Sequence, residues 1–302
     1  MAYRDALLLI SALLLSGLAA WRQLPRPQAA LAPGLESAAG VIDASGQWIP
    51  AGDYQRIAAL STVACQVLPD LISLNRIVLV SYWHQRHARS AFRTQGIPVI
   101  EGADQIEIIL AARPDLVIIN NFQMQPAVVD RLRRLGLTVF DLGGLEGPPT
   151  LIPNIRDLAT VVGEAERGAR LARQLQQRLS MVAAHVPADQ RLRAIYLDRH
   201  GDQLIGGTEG SSFHHLLRYA GLEDVAAGRG LSPWPQIRAE QLLQWAPEII
   251  VTSAGMAEHI PLLPGLRSLE ARIVELPRGF DSTGPEILEH VEDLFQAVYG
   301  EL

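Results

Sequence analysis

Two stretches of this chain repeat one another. Glu107 to Asn120 reads EIILAARPDLVIIN, and Glu240 to Ser253 reads EQLLQWAPEIIVTS. Each has a glutamate, aliphatic residues on a helical turn, a proline seven residues on (Pro114, Pro247), an acidic residue, four aliphatic or β-branched residues and a small polar one. Proline disfavours helical backbone at the residue before it and so stops the helix. The aliphatic run that follows has the continuous apolar character of a strand buried on both faces of a parallel sheet. The echo therefore predicts an α/β fold of two Rossmann-like lobes.

Other segments fit this plan. RIAAL, RIVLV, DLVII and LTVFDL are short β-type runs at α/β spacing, and AVVDRLRRLG is a helix ending at Gly136. Asn154 to about Val186 has no proline and repeats Leu158, Val161, Val162, Ala165, Ala169, Ala172, Leu175, Leu179 and Val182 at helical spacing. It predicts one continuous helix of ~45 Å, a stiff strut joining the lobes. Gly163, Gly168 and irregular heptads disfavour a coiled coil. The expected organisation is a signal peptide or N-terminal anchor at 1–20, a flexible Pro- and Ala-rich lead-in at 21–40, a first lobe at 41–152, the linking helix at 153–187 and a second lobe at 188–302.

Arg4, a 15-residue apolar run from Ala6 to Ala20 and small residues at Gly17 and Ala19 form a secretory pattern. The run is short for a membrane span of ~20 residues, so a cleaved signal and a periplasmic location are expected, with an uncleaved anchor as the alternative. Cys65 is the only cysteine, so export brings no internal disulfide, and the residue reads as a small core side chain. Lysine is absent, the net charge is −6, and no arginine-rich stripe appears. A nucleic-acid partner is not expected.

In open α/β sheets, ligands bind beyond the carboxyl ends of the strands. Those ends carry SYWHQRH (Ser81 to His87), Asn120-Asn121-Phe122, Arg199-His200, Thr252-Ser253-Ala254 and Arg278-Gly279-Phe280. Tyr82, Trp83, His84, Asn121, Phe122, Arg199, Trp234, Arg278 and Phe280 are the candidate ligand contacts. Aromatic rings give contact area at low entropy cost, and arginine pairs with carboxylate or hydroxamate oxygens, so a bulky, partly apolar, anionic ligand fits them. His84 and His87 are weak candidates for a metal, since imidazole suits zinc or iron but this loop offers no carboxylate. No catalytic residue stands out. IGGTEGSSF (Ile205 to Phe213) is neither a P-loop nor a dinucleotide fingerprint, no nucleophile elbow is present, and His214-His215 read as surface or capping residues.

The segment LSPWPQIRAEQLLQWAPEIIVTS, with Trp234-Pro235-Gln236, Glu240 and Pro247, resembles the second lobe of class III periplasmic substrate-binding proteins. These feed ferric siderophores, haem and cobalamin to ABC importers. VIDASGQWIPAGDYQRIAALS, ARPDLVII and AGLEDVAAG extend the likeness from about Val41 to Tyr299. The resemblance implies a rigid, monomeric binder, not an enzyme, with no cofactor of its own, holding a transported metal chelate between its lobes. It places Trp83 in the first-lobe wall, Trp234 at the mouth of the second, and Arg278 and Phe280 on the second-lobe rim. The family docks an inner-membrane ABC permease through one acidic residue per lobe; Glu240 matches one, and Gln66 stands where glutamate is usual in the other. A ferric siderophore-type complex is the expected ligand, with cobalamin next and haem third through Tyr82, His84 or His87. GADQIEIIL lacks an aromatic usual in cobalamin binders. Two rivals are an exported hydrolase using His200 and Asp281, and a degenerate binder acting as a sensor, suggested by Gln66.

Overall fold

The structure, a computed structural model, describes residues 39–82, 94–120, 126–201, 203–262, 269–277 and 283–300. The first lobe opens with a small antiparallel pair, β1 (Gly40–Ile42) and β2 (Trp48–Pro50). Its main sheet holds β3 (Ile57–Ala59), β4 (Ile77–Ser81), β5 (Val99–Ile100), β6 (Leu116–Ile119) and β7 (Val139–Asp141), all parallel, in the order β5-β4-β3-β6-β7. Helices α1 (Thr62–Leu71), α2 (Ile106–Ala111) and α3 (Pro126–Arg134) connect these strands.

The second sheet is mixed. Strands β8 (Arg193–His200), β9 (Gln203–Gly207), β11 (Gln236–Ile237), β12 (Ile249–Thr252) and β13 (Arg272–Glu275) run in the order β11-β9-β8-β12-β13, and β10 (Glu223–Asp224) pairs with β8. The β8–β9 hairpin is antiparallel, and β8, β12 and β13 are parallel. Helices α6 (Ser212–Tyr219), α7 (Ala239–Trp245) and α8 (Ile287–Tyr299) complete this lobe. A helix joins the two sheets, as expected, but it is not the continuous rod that the periodicity suggested. The chain forms α4 (Pro148–Val161) and then α5 (Ala165–Ala184). Gly163, with φ +82°, breaks the run, and Gly168 lets the second helix cross the first closely, since a Cβ there would lie 2.1 Å from Ala159 Cβ. The strut is α5 alone, ~30 Å long.

One apolar cluster runs through the whole layer of linking helices. It joins Val63 and Leu68 of α1, Ile155 and Leu158 of α4, Leu175 and Leu179 of α5, and Val291 and Phe295 of α8. The opposite faces of the two sheets have separate cores, around Ile109 and Leu132 in the first lobe and around Leu242 and Trp245 in the second. Burying each such side chain contributes roughly 1.5–3 kcal/mol, so the lobes share one core on the strut side. No helix among the described residues is long and apolar enough to cross a membrane.

The echo extends into details. Arg113 (φ 47°) and Ala246 (φ 43°), each just before the repeated proline, are the two described non-glycine residues with positive φ. Arg56 donates to the carbonyls of Ala112 and Arg113 at 2.6 and 2.9 Å, and Arg193 to those of Trp245 and Ala246 at 3.2 and 2.5 Å. These arginines bind carbonyls left free at the ends of α2 and α7. The Asp115 carboxylate accepts the Gln55 and Arg56 N–H groups, and Glu248 accepts that of Arg193.

Candidate functional site

The second lobe carries a continuous row of side chains at its strand ends. Trp234, 39% exposed, meets Phe213 edge-on at 5.5 Å between centroids. Phe213 stacks on Tyr196 at 3.5 Å. The Tyr196 hydroxyl is 3.0 Å from Ser253 Oγ, which donates to Asp198 Oδ2 at 2.8 Å. Strand register explains the order. Val251 pairs with Tyr196, so Ser253 lies level with Asp198 two residues on, and period-two alternation keeps all four on one face. Burial pushes the Tyr196 phenol well above its ordinary value, and the Asp198 charge adds to the rise. The phenol therefore stays protonated and can donate to Asp198, 3.4 Å away.

The glycine-rich segment explains why Trp234 is held. Gly206 N–H donates to Pro235 O at 2.8 Å and Thr208 N–H to Pro233 O at 3.1 Å, pinning both neighbours of the tryptophan. A Cβ at Gly207 would lie 3.0 Å from Phe213 Cβ and 3.2 Å from the Tyr196 ring, and one at Gly210 would lie 2.9 Å from Pro233. These glycines are spaces for an aromatic stack and a loop, not a phosphate cradle. His214 also differs from the surface or capping reading. It is 8% exposed, and its Nδ1 is 2.8 Å from Asp224, which also accepts the Thr208 hydroxyl. That buried pair ties α6 to the sheet.

Tyr82 stands 46% exposed just past β4, and Asn120 is half-buried at the end of β6. Trp83, His84, His87, Asn121, Phe122, Arg278, Phe280 and Asp281 lie outside the described residues. Arg199 falls on the opposite sheet face from Asp198, and its Nε donates to Gly201 O at 2.6 Å, at the hairpin tip. It is therefore not part of the Trp234 row. No group of three metal-ligating side chains occurs among the described residues. Cys65 is buried, its thiol pushed up to about 12 by burial, and its Sγ donates to Ala59 O. It cannot serve as a thiolate nucleophile.

Gln66 does not fit an exposed docking position. It is 5% exposed, beneath the chain that leads into α8, and a Cβ at Gly284 would lie 1.8 Å from its Oε1. Neither amide atom has a hydrogen-bond partner. It is a contact between lobes, at the edge of an open groove of about 840 Å³ that α1, α5 and the start of α8 line and that no described strand-end residue reaches. The exposed acidic counterpart of Glu240 is Glu107. Both occupy the first turn of the helix in the repeated unit, α2 and α7. The echo itself held that signal, because it set Glu107 opposite Glu240.

Two α/β sheets bridged by a helix, with an aromatic wall at the strand ends, define a two-lobed binding protein. The chain belongs to the periplasmic binding protein family, whose model matches residues 57–273. A cobalamin-binding protein from Halobacterium salinarum is 24% identical over 206 residues, covering 67% of this chain and 54% of that protein, so the chain spans about half that relative's length. A periplasmic heme-binding protein from Roseiflexus superposes with a TM-score of 0.70 at 21% identity, over 81% of this chain and 98% of the other. An Fe3+-hydroxamate transport protein from Saccharomonospora viridis gives a TM-score of 0.68 at 20% identity, over 86% and 98%. At these identities the structural likeness speaks for the fold.

Proposed function

We propose that the protein captures a metal chelate, a ferric siderophore-type complex, in the periplasm and delivers it to an ABC importer without chemical change. The Trp234–Phe213–Tyr196 row carries this reading. Trp234 is its exposed face, Phe213 and Tyr196 lie buried in the core behind it, and the row ends in hydrogen-bonding groups at the edge where α/β lobes receive ligands. Ser253 lies beside a carboxylate and a protonated phenol and has no histidine partner among the described residues. That favours a binding wall over the hydrolase alternative. Cobalamin is the second reading, favoured by the relative from Halobacterium. Glu107 and Glu240 are the proposed permease contacts, one per lobe, on a monomer exported by its N-terminal segment.

Tryptophan fluorescence titrations with a ferric hydroxamate, cyanocobalamin and haemin test the reading. Saturable quenching by the ferric hydroxamate, tighter than by the others, is expected. Saturation by cyanocobalamin alone transfers the assignment to the second reading, and turnover of any ester or amide substrate at the Ser253 wall would refute a binder.

A further inference from the structure

The row ends in a carboxylate, that of Asp198, with which no cation pairs among the described residues. Asp198 lies near the carboxyl end of β8, partly exposed. Three neutral donors hold it: Ser253 Oγ at 2.8 Å and the Tyr196 hydroxyl at 3.4 Å on Oδ2, and the Arg199 N–H at 2.7 Å on Oδ1. No ion pair among the described residues uses Asp198, and the adjacent Arg199 guanidinium is directed to Gly201 O on the other face of the strand. A carboxylate's two oxygens can accept about four hydrogen bonds, so Asp198 retains capacity for a donor from outside the protein.

We infer that Asp198 sets the charge selection of this cleft. Chelates whose rim carries ammonium or amide N–H groups are accepted, and chelates rimmed by carboxylates are disfavoured by like charge. The inference rests on the chelate-binding reading and narrows it. Of the two arginines expected to meet an anionic ligand, Arg199 sends its Nε to Gly201 O on the other face of the strand, and Arg278 lies outside the described residues.

The test compares wild type, Asp198→Asn and Ser253→Ala for three probes: ferrioxamine B, which bears a free ammonium; ferrichrome, which is neutral; and ferric citrate, which is anionic. The readout is the ratio of dissociation constants within each protein, so a loss of folded protein, which affects all probes alike, does not imitate the effect. Wild type should bind ferrioxamine B in preference to ferric citrate. Asp198→Asn should reduce the ferrioxamine B to ferrichrome preference by roughly tenfold, the size of one uncompensated charge contact, and remove its dependence on ionic strength. Ser253→Ala, which keeps the charge, should leave the preference in place. Binding of the probes with a ratio unchanged by Asp198→Asn, or a preference lost equally in Ser253→Ala, overturns the inference and leaves the chelate reading standing. No binding of any probe by wild type overturns both.

Discussion

The two lobes agree at one end of their sheets and differ at the other. At the helix-to-strand junctions the correspondence reaches single hydrogen bonds: Arg56 and Arg193 take up the last helix carbonyls, Asp115 and Glu248 hold the start of the neighbouring strand, and Arg113 and Ala246 share a left-handed backbone. At the carboxyl ends the second lobe builds an aromatic and carboxylate row, while in the first lobe α1 places Gln66 under Gly284 of the second. The shared end is scaffold, set by the need to satisfy a helix terminus beside a parallel strand. The divergent end is free of that demand, and there, among the described residues, the second lobe carries the aromatic and carboxylate row and the first makes a contact between lobes.

Four sets of substitutions sharpen this contrast. Gln66→Glu should be the most damaging, because it puts an unpaired charge under Gly284; a loss of about 3 kcal/mol is expected in denaturant unfolding. Gln66→Leu should match or exceed wild-type stability, since it removes two buried unsatisfied atoms. Restored or improved uptake by Gln66→Glu would instead support a docking role. Trp234→Ala should weaken chelate binding by ~1–3 kcal/mol, as should Trp83→Ala if the first lobe contributes an equal wall. Unequal losses in titration calorimetry would assign the main grip to one lobe.

Glu107→Gln and Glu240→Gln should each lower transport into vesicles modestly, by ~0.2–1 kcal/mol of docking energy for an exposed pair, with chelate affinity unchanged. Equal effects would make docking as symmetrical as the scaffold. The smallest effect is pH-dependent. His215 is held down to about 4, first by burial and then by the charges of His214 and Arg218. The unfolded chain takes up its proton near 6.5, so the native state loses stability as pH falls from about 6.5 toward 4. His215→Gln should flatten the Tm–pH curve there, and an unaltered curve would show that the residue does not couple to folding.

Much of the scaffold was legible from sequence for a physical reason. Strands buried on both faces give continuous aliphatic runs, so β4 and β6 are visible in RIVLV and DLVII, and a proline marks the stop before β6 and β12. The break at Gly163 was hidden because Leu158, Val161, Ala172 and Leu175 stay in helical phase across it; periodicity reports which face is buried, not whether the axis is continuous. Trp234 was visible as an exposed aromatic beside prolines. Ser253 was visible only as a strand end, and Phe213, Tyr196 and Asp198 were not visible as its neighbours, because they come from separate segments that only strand register brings side by side. Gln66 misled because sequence position reveals nothing of Gly284, more than two hundred residues away, lying over it.

Native mass spectrometry of the protein purified from its native host bears most directly on the claim that the lobes grip a metal chelate against the second-lobe wall. The expected spectrum shows the chain carrying one metal-containing small molecule, released on denaturation and lost in Trp234→Ala. A bare chain in every preparation, still bare after incubation with ferric hydroxamate, cyanocobalamin and haemin, would contradict it.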